Sequence, residues 1–388
     1  MSKKLLEGIR TVEVTGHVTG PVTTQLLADC GAESIVIETG SRRLGFPGND
    51  EEHQNTTGKL SVSLNFIHPR GLALARRLIS TADVFVENMA GGKLTNRGLG
   101  YEDIRKIKPD IIYLSTCMQG QTGPHYAHAA SGHKLSALAG FNHITGWPDR
   151  EPAWVGTYTD FIAPRYNIIA ILGALEYRRR TGKGQFLDMS QYEPSLQFMA
   201  TSILDYTVNR RIAGRMGNQS PYAAPHNAYR CQGEDRWCAI SVFTDDEWRR
   251  FCEVIGVPAL SGDIRFSTLL ARKENEEELD RLVNDWTANR TAEDVMGLMQ
   301  AAGIAAGVVE TVEDQVLSDP HLKHREFFWE MESPQPKRYV TKGAPFYRLT
   351  LRVRRGPLLG ANNDYVLKGI LGLSDEEVAG LEKEGVIG

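Results

Sequence analysis

Apolar positions in the first part of the chain fall into short strand-like runs separated by helical stripes. Ile9–Val14 and Ser34–Glu38 read as strands, and Pro21–Cys30 between them reads as a helix with proline in its first turn, which predicts a β-α-β unit. The pattern returns: Leu60–Leu64 alternates, Pro69–Ser80 carries apolar residues at helical spacing, and Val84–Val86 and Asp110–Ser115 are further strand runs. Such alternation predicts a mostly parallel sheet with helices on both faces. From Gly120 to Gly156 loop punctuation takes over, with one short helix over Lys134–Ala139, and a long irregular stretch of this kind is usually functional. Ile162–Arg180 reads as a strong helix closed by Arg178, Arg179 and Arg180 and by the turn Thr181-Gly182-Lys183-Gly184. Composition shifts after about residue 206. Strands at Trp237–Val242 and Gly307–Glu310 and helices at Asp245–Ile255, Asn275–Asn289 and Ala292–Ala302 predict a smaller α+β lobe, and Ser333-Pro334-Gln335-Pro336 reads as a linker back.

The 388 residues are enough for two or three lobes, and 41% apolar against 24% charged residues leaves ample material for cores. A net charge of -4 disfavours nucleic acid as a partner, so any anion site must be local. Cys30, Cys117, Cys231, Cys238 and Cys252 are odd in number and contain no C-x-x-C pair. With no signal-peptide pattern at the start and no apolar run of spanning length, the expectation is a cytoplasmic protein with no membrane partner.

The common chemical motifs are missing. Gly98-x-Gly100 runs into Tyr101-Glu102-Asp103 and so fails as a dinucleotide loop, and neither G-x-x-x-x-G-K-[ST] nor G-x-S-x-G occurs. His125-x-x-His128 with His133, and His321-x-x-His324, have ligand-like spacing but no carboxylate completing a set, so no metal is expected. Arg178–Arg180 read as a solvated helix end, and Arg352, Arg354 and Arg355 as outward positions on a late strand.

Four ordered segments carry more information. They are Leu5–Val14 with Gly20-Pro21 and Leu26–Glu33; Asp83–Met89 with Arg97–Glu102; Pro109–Ser115 with Gly120-Gln121-Thr122-Gly123-Pro124; and Thr159-Asp160 with the helix after it and Thr181–Gln185. In this order they resemble the class III coenzyme A transferases, a family that also contains the α-methylacyl-CoA racemases. The resemblance implies an α/β fold. Its large Rossmann-like domain would comprise residues 1–205 and a returning segment 333–388, with a smaller α+β domain inserted at 206–332. It also implies an interlocked homodimer that takes acyl-CoA and a carboxylic acid as substrates.

By the same resemblance Asp160 is the nucleophile that attacks the acyl-CoA thioester, although a helix-capping aspartate would look alike in local sequence. His17, Val18 and Thr19 are expected by the thioester, Asn88 and Met89 toward the nucleotide of coenzyme A, and Arg42 (or Arg43) and Arg97 at its phosphates. His133 and Tyr158 are expected beside the acyl group. The sequence departs from the family pattern in three ways: Thr159 stands where glycine usually precedes the aspartate, Thr39 replaces an arginine after Glu38, and Arg97 is shifted by one position. The alternative is a racemase or epimerase moving an α-proton between His133 and Asp160, which Lys134 after His133 and Phe161-Ile162-Ala163-Pro164 after Asp160 disfavour. A binding subunit that kept the fold without its activity is a third possibility. Gly217-Asn218-Gln219-Ser220-Pro221-Tyr222 is bulkier than the glycine loop that closes over oxalate, and Trp147, Trp154, Tyr158 and Phe161 point to a larger or aromatic acid.

Overall fold

The first strand runs come together in one sheet. β1 (Arg10–Val14), β2 (Glu33–Glu38), β3 (Leu60–Ser63), β4 (Val84–Glu87), β5 (Ile112–Cys117) and β6 (Gln185–Ser190) pair in the order β3-β2-β1-β4-β5-β6. Every pairing is parallel, with Val12 opposite Ile35 on one side and Phe85 on the other. The computed structural model describes residues 4–39, 55–128, 131–332, 339–343 and 355–388. Arg42, Arg43, the Ser333–Pro336 linker, Arg352 and Arg354 lie outside them. Helices connecting the strands are α1 (Thr19–Asp29), α2 (Pro69–Ser80), α3 (Tyr101–Ile107), α4 (Gly132–Leu138), the single turn α5 (Phe141–Ile144) and α6 (Tyr158–Thr181), followed after β6 by α7 (Tyr192–Gln197) and α8 (Ala200–Asn209).

The chain divides into two compact units, Met1–Phe141 with Trp154–Ile212 and His324–Gly388, and Asn142–Ala153 with Ala213–Lys323. In the first, Val12, Ile35, Ile37, Val62, Phe85 and Leu114 are fully buried, as a sheet covered on both faces demands. A short helical segment, Asp364–Ile370, adds Val366 and Leu367 to this core. Ahead of it Asn362 and Asn363 accept from the N–H groups of Ser61 and Ser63, both at 2.9 Å, which covers the free edge of β3. The second unit holds a three-stranded antiparallel sheet, β7 (His226–Arg230), β8 (Trp237–Ser241) and β9 (Ala305–Val308). Around it stand α9 (Asp245–Val254), α10 (Leu269–Glu274), α11 (Glu276–Thr287) and α12 (Ala292–Ala301), with α13 (Val312–Leu317) and α14 (Pro320–His324) beyond. Back in the first unit are the hairpin β10 (Phe328–Met331) with β11 (Tyr339–Lys342) and the last helix, α15 (Asp375–Lys383). Among the described residues no helix is long and apolar enough to cross a membrane.

Several expectations need correction. β9 begins two residues before the predicted strand, and periodicity gives no sign of β6 or β7, because neither QFLDMS nor HNAYR makes an apolar run. α6 begins at Tyr158, four residues before the apolar stripe. Arg178 is not a solvated helix end: it pairs with Asp83 at 2.7 Å and is mostly buried. Arg355 does not point outward, for its Nε and Nη2 are buried with no hydrogen-bond partner among the described residues.

Candidate active site

β1 and β4 lie side by side at the centre of the sheet, where strand order reverses, and ligands of such sheets bind beyond the carboxyl ends of the strands at that point. The loop after β1 carries His17 in a left-handed backbone conformation, φ 61°, which a non-glycine residue adopts only at a cost. Asn88, just after β4, holds that loop: its side-chain amide donates to the Gly16 carbonyl at 2.6 Å and its oxygen accepts from the Gly16 N–H at 2.8 Å. Gly20 lets the two loops approach, since a Cβ there would stand 3.0 Å from the Asn88 side chain as well as 2.7 Å from Thr15. The loop leads into α1, whose first turn has no side-chain cap and no acidic residue, so the main-chain N–H groups of Thr19 and Gly20 remain available to an anion, Pro21 having none.

Asp160 meets this helix end. It is the third residue of α6, behind the N-cap Thr157, and its carboxylate does not cap the helix, so the capping interpretation fails. Pro164 has no N–H to give the Asp160 carbonyl, and the Thr19 hydroxyl takes that role at 3.4 Å while lying 3.5 Å from Oδ1. On the other side the carboxyl rests on Gly132 at the start of α4, where an added Cβ would fall 2.4 Å from Oδ2. Thr159, in place of the expected glycine, is fully buried and donates to the Gly132 carbonyl at 3.3 Å, a bond that Ser136 reinforces at 3.0 Å. The substitution therefore braces the wall against which Asp160 packs. Burial pushes the Asp160 carboxyl up to about 6, partly offset by the Thr19 hydroxyl and by His133. It is consequently ionised at neutral pH yet 6% exposed, a carboxylate stripped of most of its water.

The expected site residues separate into groups. Val18 and Thr19 are buried at the mouth of α1, beside the exposed His17. His133 follows Gly132 on α4, within electrostatic reach of Asp160, and its ring stacks on Trp154 at 4.9 Å. Tyr158 is half-exposed, edge-on to Phe141. Met89 packs on the central core, and Arg97 stands over the Phe66 ring at 5.9 Å with no contact to Asp160. Trp147 belongs to the second unit, where Arg150 lies over its ring. The rings of His125 and His128 lie 4.6 Å apart and tilted by 34°, and among the described residues no group of His, Cys, Asp or Glu is arranged to hold a metal ion.

Sequence reasoning misses a buried polar junction around Gln121, although its G-Q-T-G-P setting draws attention to the loop. The Gln121 side chain donates to Ser115 at 2.6 Å and to Glu87 at 3.2 Å and accepts from the Gly92 N–H at 2.9 Å; its own N–H donates to Asp188 at 2.8 Å. Glu87 also accepts from Ser115 and from the Met89 N–H, and burial pushes it up to about 7. The junction ties the Asn88–Gly92 and Gly120–Tyr126 loops to the ends of β4, β5 and β6.

The six-stranded parallel sheet, with a desolvated carboxylate beside the loop that follows its first strand, defines an α/β protein, and comparison with known proteins identifies its family. The model of CoA-transferase family III matches residues 6–363, and the chain belongs to that family. Succinyl-CoA--D-citramalate CoA-transferase of Chloroflexus aurantiacus is 32% identical over 404 residues, 98% of each chain. Succinyl-CoA:glutarate CoA-transferase of Mus musculus is 30% identical across 100% of this chain and 91% of its own. The crystal structure of a CAIB/BAIF family protein from Brucella suis matches 95% of this chain and 100% of that one, with a TM-score of 0.86 and 30% identity. The protein is a class III CoA-transferase, moving coenzyme A between an acyl-CoA and a carboxylic acid.

Proposed function

We propose that the transfer runs through covalent intermediates on Asp160, with a dicarboxylic acyl-CoA as donor. The Asp160 carboxylate attacks the thioester carbonyl, the C–S bond breaks, and coenzyme A leaves as thiolate from an acyl-aspartyl anhydride. The thiolate then attacks the aspartyl carbonyl and the first acid departs as its carboxylate. The acceptor acid takes coenzyme A from the resulting aspartyl thioester by the reverse steps. What carries this reading is the Asp160 carboxyl itself: ionised at neutral pH, buried against Gly132, and beside the uncapped start of α1, whose N–H groups suit a developing oxyanion. Burial also protects an anhydride from water. The donor class is carried over from the succinyl-CoA enzymes named above.

Coenzyme A would lie along the His17-Val18-Thr19 loop with its thioester at Asp160. Met89 and Arg97, with Arg42, would serve its nucleotide end. Asn88 would act through the shape of that loop, because its amide is committed to Gly16. The enzyme would work as an interlocked homodimer, a reading supported by large apolar side chains left exposed on and after α8, among them Leu204 at 62% and Val208 at 74%.

A second reading, α-proton exchange between His133 and Asp160, draws support from the electrostatic reach between them. One experiment separates the two. Incubation with succinyl-CoA and hydroxylamine should leave a hydroxamate on the peptide carrying Tyr158 to Arg165, measured by mass spectrometry. α-Deuterium incorporation from deuterated water without that modification would establish the proton-transfer reading instead.

A further inference from the structure

A buried polar seam joins α1, α6 and β5. Thr23 of α1, Asn167 of α6 and Thr116 of β5 are fully enclosed in it, and Thr19 nearly so. The Asn167 amide commits both hydrogens there: Nδ2 donates to the Thr23 hydroxyl at 2.9 Å and to the Thr116 hydroxyl at 3.0 Å. The Thr23 hydroxyl has one hydrogen of its own, and it donates that to the Thr19 carbonyl at 2.7 Å, one turn back along α1. Thr19 is the residue whose hydroxyl lies 3.4 Å from the Asp160 carbonyl and 3.5 Å from its Oδ1. A path of hydrogen bonds therefore leads from Asn167 through Thr23 and Thr19 to Asp160, which stands two turns before Asn167 on the same helix. The seam is held at a cost. Asn167 Oδ1 is buried with no hydrogen-bond partner among the described residues, an expense that an apolar side chain of similar volume would not carry.

We propose that Asn167 is a positioning residue for the transfer: acting through Thr23, its amide holds the first turn of α1 in register with α6, so that the Thr19 hydroxyl stays at the Asp160 carboxyl. The proposal rests on the reading of Asp160 as nucleophile. Asn167 makes no hydrogen bond to Asp160 itself, and its influence runs through the two threonines. The seam is separate from the clamp of Asn88 on Gly16, which shapes the loop assigned to coenzyme A. Loss of the seam should therefore slow the step at Asp160 more than it weakens binding of the donor.

The full-length enzyme is incubated with succinyl-CoA and excess hydroxylamine, and the rate of hydroxamate formation on the Asp160 peptide is followed by mass spectrometry against succinyl-CoA concentration, which needs no acceptor acid. In Asn167→Leu and Thr23→Val the maximal rate should fall about tenfold or more, with the half-saturating concentration changed by less than about threefold. Thr23→Ser keeps the hydroxyl and should retain most of the wild-type rate. The double variant, Asn167→Leu with Thr23→Val, should lose no more than the worse single one, as two parts of one path do. Circular dichroism should read native throughout, and Thr23→Val carries the test if Asn167→Leu does not fold. An unchanged maximal rate in Thr23→Val, a change confined to half-saturation, a loss in Thr23→Ser equal to that in Thr23→Val, or additive losses in the double variant would each overturn the proposal. Absence of labelling from the wild type would overturn the nucleophile reading, and the proposal with it.

Discussion

Asp160 owes its character to contacts on three sides: Thr19 on one helix, Gly132 on another, and the Thr159 that precedes it. Gly132→Ala would force a methyl group into the carboxyl, and the displacement should lower kcat/KM by about a hundredfold while circular dichroism stays native. Transfer should also fall as pH drops through about 6, where Asp160, the proposed nucleophile, takes up its proton. Stability moves the other way. The folded-state value lies above the ordinary 3.8, so the protonated carboxyl favours folding below that pH, and the benefit is lost as pH rises to about 6. A rise of that size corresponds to roughly 3 kcal/mol, so Asp160→Asn should melt at a higher temperature than wild type at pH 8, with the difference vanishing near pH 4, while transfer is abolished. Equal melting temperatures at pH 8 would show that burial imposes no such cost. At this scale the sequence singles out Asp160 as the expected nucleophile and marks Thr159 as a departure from the family pattern. That Thr159 braces Gly132 is not legible there, because the bond joins helices 27 residues apart.

At the scale of elements, the Gln121 junction joins two loops to three strands with one amide. Gln121→Ala removes its side-chain bonds and leaves Ser115 and Glu87 underserved in a buried place. The expected result is a KM for acyl-CoA raised about tenfold with a smaller change in kcat, since in the proposed site these loops would serve the nucleotide end of coenzyme A rather than Asp160. Glu87 should add its own pH dependence. Its folded-state value of about 7 exceeds the ordinary 4.5, so stability is lost as pH rises between these two, and Glu87→Gln should flatten urea midpoints across that window. Elements with a continuous apolar run or a strong stop are readable from the sequence: α2 matches its predicted range, and α6 ends at the Gly182 turn. β6 is not, because it is an edge strand that exposes alternate residues, and its pairing with β5 supplies a register that its own side chains do not specify.

For the whole molecule, the apolar side chains on and after α8 argue that this surface is covered. The expectation is a homodimer that persists at nanomolar concentration in sedimentation velocity, because interlocked chains separate only by partial unfolding. Leu204→Glu with Val208→Glu should lower the yield of dimer and expose aggregation-prone chains; a monodisperse, active wild-type monomer would refute the interlocked arrangement.

Periodicity and turn residues are sufficient for most of the parallel sheet and its helices, and the ordered motifs for the family resemblance, since each depends on neighbours in the chain. They cannot reveal what long-range packing creates. Lys59 and Glu13 form a fully buried ion pair at 2.6 Å, and nothing near either residue announces the other. The same holds for the Asn88 grip on Gly16 and the glycine floor under Asp160. Desolvation and hydrogen-bond partners are properties of an assembled interior, so Asp160 is marked by its local motif while its protonation and setting arise only when distant segments pack around it.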